Sequence, residues 1–407
     1  MSTDIQRLAP VEIWSNFAKL NAVPRPSKKE ERVIAFIKAF GEHLGFPTIV
    51  DEMGNVIIKK PASAGMEDRT TIVLQSHLDM VHQKNADSNF DFLTQGIQMY
   101  VDGDWVKAQG TTLGADNGLG VATIMALLES KEIAHPPLEA LFTIDEETGM
   151  TGAMGLKGGL LDAKIMLNLD TEDDDELTIG CAGGIDITAA GSYEMETVEN
   201  AEVIKIGLTG LTGGHSGMDI HKGRANANKL MNRLLYKLNQ AISFRIHSIN
   251  GGSLRNAIPR ESFATLLVAS TDLATVKTMI EAYHKTLQSE YATTDPALTV
   301  STEVVPANGK GMTKAFQDQL IRSIYACPNG IYRMSPDIED LVQTSNNLAR
   351  VSVENGKYEI LCLTRSSVDS EKMDEAQAIG CTFELMGAAV TMDGSYPGWT
   401  PKPGAES

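Results

Sequence analysis

Thr70-Thr71-Ile72-Val73-Leu74-Gln75-Ser76-His77-Leu78-Asp79-Met80 is a β-branched run that ends abruptly in a polar His-x-Asp. Ile72, Val73 and Leu74 predict a buried strand, with His77 and Asp79 just past its C-terminal end. In an open α/β sheet that edge is where ligands bind, because the backbone turns there and polar side chains converge without being buried unpaired. One such pair alone is an ordinary strand-end cap. The pattern recurs, however. Leu138–Ile144 predicts a strand ending in Asp145-Glu146-Glu147-Thr148-Gly149, and Ile165–Leu169 predicts another ending in Asp170. Between them, Thr111–Gly120 leads into an apolar helix over Val121–Leu128, which sets Asp116 at a helix N-terminus, where a carboxylate is favoured. Glycines at 114, 118 and 120 are too dense for capping alone and imply a close approach to the backbone.

His77, Asp79, Asp116, Glu146, Glu147 and Asp170 are thereby expected at one edge of one sheet. Adjacent carboxylates at a strand end repel one another unless solvated or bound to a cation. A histidine-plus-carboxylate set of this kind suits a divalent first-row metal, zinc above all, with manganese or cobalt as substitutes. The acidic run Glu172–Glu176 that follows reads as a solvated loop.

Composition bounds the alternatives. A chain of 407 residues with 42% hydrophobic content predicts a soluble globular protein of two domains. The net charge of −18 disfavours nucleic acid and anionic membranes as partners and favours cations. Cys181, Cys327, Cys362 and Cys381 are widely spaced and read as free core thiols of a reducing compartment. The N-terminus shows no signal peptide, and the apolar run Val121–Leu128 is far too short to span a bilayer, so a cytoplasmic location is expected.

Elsewhere, Ser27-Lys28-Lys29-Glu30 has the form of a capping box before a helix carrying Val33, Ile34, Ile37 and Phe40. Ile49-Val50 and Val56-Ile57-Ile58 predict a hairpin. The strand-then-carboxylate rhythm stops after Gly183-Gly184, which places a domain boundary near 185. Beyond it come a strand at Val203–Leu211, a tight loop Gly213-Gly214-His215-Ser216-Gly217 and a helix over Arg224–Leu238. Strands at Ser243–Ile249 and Phe263–Ala269 and a helix at Leu273–Tyr291 follow. A second series has a strand at Leu298–Val305, a helix at Thr313–Ala326, a hairpin turning at Asn355-Gly356 and a helix at Ser370–Ala378. Residues 186–393 thus read as two similar α+β units.

Taken together, Ser76–Asn85, Gly114–Gly118, Asp145–Gly149, Asn168–Asp170 and Gly213–Gly217 resemble the dinuclear-zinc M20 metallopeptidases, and among them the cytosol non-specific (aminoacyl-histidine) dipeptidases. The resemblance implies an α/β catalytic domain with a central mixed sheet flanked by helices over residues 1–185. An inserted lid and dimerisation domain would cover 186–393, and a return to the catalytic domain would begin at 394–407. It also implies that Asp116 bridges two Zn2+ ions, with His77 and Asp170 completing one site and Glu147 binding the other. Glu146 would be the general base, Asp79 would orient His77, His215 would stabilise the oxyanion, and Asn256 would contact substrate. The implied reaction is hydrolysis of dipeptides, Xaa-His among them, by metal-activated water, with a possible homodimer through the lid. A deacylase acting on N-acyl amino acids is the runner-up. A further histidine is implied for the second metal from a returning segment, and none of the eight histidines occupies a corresponding place. A truncated chain that binds one metal or dimerises through its lid but does not turn over substrate is therefore the non-catalytic alternative, and the shortening would leave apolar sheet surface near Leu74, Phe142 and Leu167 less covered.

Overall fold

The computed structural model describes residues 4–84, 88–171, 178–306, 309–402 and 404, so Asn85 and the run Glu172–Glu176 lie outside the described residues. The chain divides into two compact units at 177/178.

The first unit begins with helices α1 (Val11–Asn21) and α2 (Glu31–His43). Strands β1 (Thr48–Val50), β2 (Val56–Lys60) and β3 (Ile72–His77) follow, then a hairpin of β4 (Met99–Asp102) and β5 (Trp105–Ala108). Helix α3 (Ala115–Glu129), strand β6 (Leu138–Thr143), helix α4 (Thr151–Gly155) and strand β7 (Ile165–Asn168) complete it. The sheet order is β1-β2-β6-β3-β7, antiparallel through β6 and parallel from β6 to β3 and β7. A parallel pair needs a crossover, and α3 supplies it between β3 and β6. Alternation along the strands buries both faces. Val56, Ile58, Leu74, Ala140 and Phe142 meet Leu20, Val33, Ile37, Val121, Ile124, Met125 and Leu128 of the helices. Ile57, Val73 and Leu141 turn to the other face, under Leu156, Leu160 and Leu161. Each fully buried aliphatic residue of α3 contributes about 1.5–3 kcal/mol. Strand β7 is an edge, and its Met166 and Leu167 are half exposed, whereas Leu74 and Phe142 are buried.

The capping box does not form. Helix α2 starts at Glu31, the Ser27 hydroxyl donates to the Met80 carbonyl at 3.2 Å, and Glu30 Oε1 accepts from Lys28 N at 2.8 Å. The Ser27 hydroxyl bonds to the distant Met80 carbonyl instead of capping a backbone N–H of the first turn.

The second unit has strands β8 (Gly183–Ser192), β9 (Met195–Thr197), β10 (Ala201–Thr209) and β11 (Gly214–His215), then helix α5 (Ala227–Ala241). Strands β12 (Phe244–Gly251), β13 (Ala257–Ile258) and β14 (Ser262–Ala269) precede helix α6 (Leu273–Glu290). Next come β15 (Thr299–Val304), β16 (Lys310–Met312), helix α7 (Lys314–Ala326) and strands β17 (Gly330–Met334), β18 (Val342–Glu354) and β19 (Lys357–Ser366). Helix α8 (Asp369–Glu384) and strand β20 (Ala389–Tyr396) end it. The two α+β units join in a single nine-stranded sheet, β15-β10-β14-β12-β18-β19-β8-β20 with β17 beside β18. Their seam is short, with Ile249–Gly251 of β12 facing Val351–Val353 of β18. Cys327 and Cys362 are buried in this core, but Cys181 and Cys381 are exposed, which corrects the expectation of four core thiols. No helix among the described residues is long and apolar enough to cross a membrane.

Glu375 on α8 is fully buried, and neither of its oxygens has a hydrogen-bond partner among the described residues. Burial, then the charge of Asp374, pushes its carboxyl up to about 8. The folded state therefore keeps a proton that the unfolded chain releases near the ordinary carboxylate value, so stability falls as pH rises through the interval between the two. Glu375→Gln should flatten that fall. Urea unfolding at pH 5 and pH 8 should show the parent losing up to ~3 kcal/mol more than the variant across this window.

Candidate metal and catalytic site

Six of the predicted residues meet at the C-terminal edge of the first unit's sheet. His77 ends β3 and is buried, as is Asp79. The imidazole is held from both sides: Nδ1 lies 3.1 Å from the Asp79 carbonyl and 3.2 Å from Asp79 Oδ1, and Nε2 lies 3.0 Å from Asp116 Oδ1. Nε2 is also 3.7 Å from Asp170 Oδ2 and 3.9 Å from Glu146 Oε2. With Nδ1–H donating to Asp79, Nε2 is the nitrogen that faces the carboxylates.

Asp79 does a second job. Its Oδ1 accepts from Glu146 N at 3.0 Å and its Oδ2 from Glu147 N at 3.2 Å, which fixes the loop after β6. The three adjacent carboxylates do not all face the cluster. Asp145 has a left-handed backbone (φ 54°) and turns inward, accepting from the hydroxyls of Thr148 and Thr151 and facing Lys28 Nζ at 3.4 Å. Glu146 and Glu147 are left at the cluster.

Asp116 sits at the entrance of α3, outside helical geometry (ψ 116°) and joined to Asn117 by a cis peptide bond. The Asn117 amide donates to Asp170 Oδ1 at 2.7 Å and to the Leu169 carbonyl at 3.0 Å, while Asp170 N donates to Asn168 Oδ1 at 2.7 Å. The dense glycines are indeed points of close approach. A Cβ at Gly120 would lie 2.5 Å from Ser76 Oγ and collide with Asn117 Oδ1, and Gly114 and Gly118 are crowded by Arg25.

The electrostatics measure how strongly this cluster attracts positive charge. Burial pushes the His77 pKa down, but hydrogen bonds to Asp116 and Asp79 and the charge of Asp170 outweigh it and hold the pKa at about 10. Burial alone would raise Asp79, yet His77 and the Glu146 N–H hold it at about 2. Glu146 is pushed up to about 7, first by burial and then by Asp170, Glu147 and Asp79, against the pull of His77. Glu147 is raised by burial and by Asp116. His77, Glu146 and Asp170 bring ligand atoms within 4.8 Å of one another, as do His77, Asp116 and Glu147. Oxygen donors around one imidazole nitrogen at this spacing fit divalent cations. A cation at Nε2 would meet the attraction that now holds the proton.

The other two predicted residues lie together in the second unit. His215 on β11 pairs with Ala257 on β13, and Ser216 N donates to the Asn256 carbonyl at 2.7 Å. His215 Nδ1 accepts from Gly217 N at 3.2 Å and Met218 N at 3.1 Å, so the neutral ring carries its hydrogen on Nε2. Asn347, buried, donates to the carbonyls of Arg255 at 3.0 Å and Ala257 at 2.8 Å, gripping the chain on both sides of Asn256. Arg365 stands beside this loop, with Nε 3.3 Å from Ser216 Oγ and Nη1 2.9 Å from the Tyr396 hydroxyl. Arg25 was not legible: its one sequence signal was the glycine density at 114–120, which implied a close approach without naming the side chain. Asp145 stood in the predicted acidic strand end, but its turn away from Glu146 and Glu147 was not legible.

Residues 206–295 match the peptidase dimerisation domain of the M20 peptidases. The cytosol non-specific dipeptidase of Escherichia coli (strain K12) is 42% identical over 400 residues, covering 98% of this chain and 82% of the relative. The crystal structure of aminoacylhistidine dipeptidase from Vibrio alginolyticus superposes with a TM-score of 0.85 at 42% identity, covering 100% of this chain and 83% of that one. Peptidase T of Macrococcus caseolyticus (strain JCSC5402) is 27% identical over 172 residues, 36% of this chain and 42% of the relative. The chain belongs to the M20 peptidase family. Its place within that family is among the cytosol non-specific dipeptidases.

A metal taking His77 Nε2 would have to displace its proton. Adding zinc to chelator-treated protein at pH 7 should therefore release protons in a weakly buffered pH-stat measurement, and His77→Gln should release about one fewer per chain.

Proposed function

We propose that the chain is a dipeptidase of the cytoplasm, dimeric through its second unit, that hydrolyses unblocked dipeptides, Xaa-His among them, with two divalent ions. Zinc is the foremost choice and manganese or cobalt are substitutes. The observation that carries this is the convergence of His77, Asp116, Glu147 and Asp170 around one point, in a chain 42% identical to a cytosol non-specific dipeptidase. His77, Asp116 and Asp170 would hold one ion, and Asp116 with Glu147 the other. Bound there, the ions polarise the scissile carbonyl and acidify an attacking water.

The chain's own groups do the rest. Glu146 takes a proton from the water as the water oxygen bonds to the carbonyl carbon. The C–N bond then breaks, and the proton passes to the departing amine nitrogen. Glu146, next to Glu147 and with Oε2 3.9 Å from His77 Nε2, stands where a carboxylate can serve both directions of that transfer. Asp79, hydrogen-bonded to Nδ1, keeps the His77 ring turned with Nε2 toward the ligands. His215, whose tautomer places the hydrogen on Nε2, donates to the oxyanion. Asn256 contacts the substrate.

Glu146 also shares a ligand-sized group with His77 and Asp170, so ligation is its competing role. The two roles separate in mutants. Asp116→Ala should lose its zinc by elemental analysis, whereas Glu146→Gln should keep the parent's zinc and lose roughly a hundredfold or more in kcat for Xaa-His hydrolysis. Zinc loss from Glu146→Gln would make it a ligand instead.

For His215→Ala, kcat should fall on the order of a hundredfold with zinc content intact. Mixing that variant with Glu146→Gln chains distinguishes the source of the histidine. Regained activity means that a partner chain supplies it, and none means supply within one chain.

A further inference from the structure

Arg25 lies between Pro24 and Pro26, in the segment that joins α1 to α2, and is 1% exposed. Burying a guanidinium is costly unless its N–H groups find acceptors. Here Nη1 donates to the carbonyls of Leu78 and Asp79, each at 3.1 Å, and Nη2 donates to Asn21 Oδ1 at 3.0 Å and to the Gly114 carbonyl. Leu78 and Asp79 follow His77 directly, and Gly114 precedes Asp116 by two residues. One planar cation thus ties the backbone leaving β3 to the backbone entering α3.

The glycines on the far side are shaped to this contact. A Cβ at Gly114 would lie 2.5 Å from Nη2, and one at Gly118 would lie 2.6 Å from it. Asn21 completes the clamp, since its amide also donates to the Leu113 carbonyl at 3.0 Å. Burial pushes the guanidinium down to about 10 against the charges of Asp79, Asp116 and Glu147, which leaves it a cation at neutral pH.

We propose that Arg25 is a positioning residue for the metal pair, setting the spacing between the His77–Asp79 strand end and Asp116 on which divalent-ion affinity depends. This rests on the reading of the cluster as a metal site. An arginine that only supported the fold would act equally on the metal-loaded and metal-free protein. One that sets ligand spacing acts on affinity itself. Lysine keeps the charge but replaces the rigid planar fork, with its four contacts from two nitrogens, by a single nitrogen with three donors, so it cannot reproduce the spacing the fork sets.

The test compares the parent with Arg25→Lys and Gly118→Ala, the second of which crowds Nη2 and the Phe17 ring edge from the α3 side while keeping the arginine. Zinc affinity is measured by competition with a chromogenic chelator, ligand geometry by the visible spectrum with cobalt, and fold by circular dichroism and Tm after chelator treatment. Both variants should remain folded, bind zinc about 10–100-fold more weakly and give an altered cobalt spectrum. A parent that binds no zinc would sink the metal-site reading itself. With a parent that binds zinc, unchanged affinity and cobalt spectrum in Arg25→Lys overturn the proposal, and so does a lowered Tm without a change in affinity. If Arg25→Lys does not fold, the same comparison on Gly118→Ala decides.

Discussion

Everything at the edge of the first unit's sheet depends on one buried carboxylate. Asp79 spends its oxygens on the imidazole of His77 and on two successive backbone N–H groups, those of Glu146 and Glu147. Those bonds join the ends of β3 and β6, which are already parallel neighbours with His77 opposite Thr143. Without such a link, a loop carrying acids at 145, 146 and 147 would swing outward to separate its charges. With it, two carboxylates stay near a histidine that pulls them together, and the outcome is a pocket of concentrated negative charge with a fixed shape. The cost of assembling like charges is met by hydrogen bonds to rigid backbone, which a flexible loop would not provide.

Much of this was legible because the signal is local. A β-branched run followed at once by polar residues marks a strand end whatever its neighbours are, and the chain repeats that signal at His77, Asp145 and Asp170. The strand ends of the first unit followed from the same rhythm, whereas the two α+β units of the second part, beyond the point where the rhythm stops, followed from the succession of predicted strands and helices. The illegible parts are those decided by long-range partners. Ser27 reads as a helix cap, but its hydroxyl reaches Met80, 53 residues away. The hairpin of β4 and β5 and the strand β20 carry too little apolar alternation to announce themselves; β4 and β5 form because each offers the other a ladder, and β20 because β8 offers it one. Arg25 is the extreme case, since nothing around a lone arginine between prolines says which carbonyls it will meet.

The second unit shows the same economy around His215. Its ring nitrogen is committed by two backbone N–H groups of its own loop, so the tautomer of the neutral ring and its orientation are set by four consecutive residues. The surroundings of Asn256 are fixed from further away, through Asn347 on β18 and through Arg255, whose Nη1 donates to the carbonyls of Ile187 and Cys362, both at 3.0 Å. A local device and a long-range one thereby hold neighbouring groups.

The seam between β12 and β18 bears on how the nine-stranded sheet comes apart. Ladder hydrogen bonds across Ile249–Gly251 and Val351–Val353 are few compared with the ten-residue ladder of β18 with β19. By backbone pairing alone the two halves would behave as separate cooperative blocks. One apolar cluster nevertheless runs from Ile185 and Ile360 on one side to Leu266 and Val300 on the other, through Leu230, Leu234 and Leu235 of α5 and Leu320 and Ile324 of α7. The helices, rather than the strands, therefore carry the cooperativity, and the halves melt together because neither can open without exposing the side chains that both share.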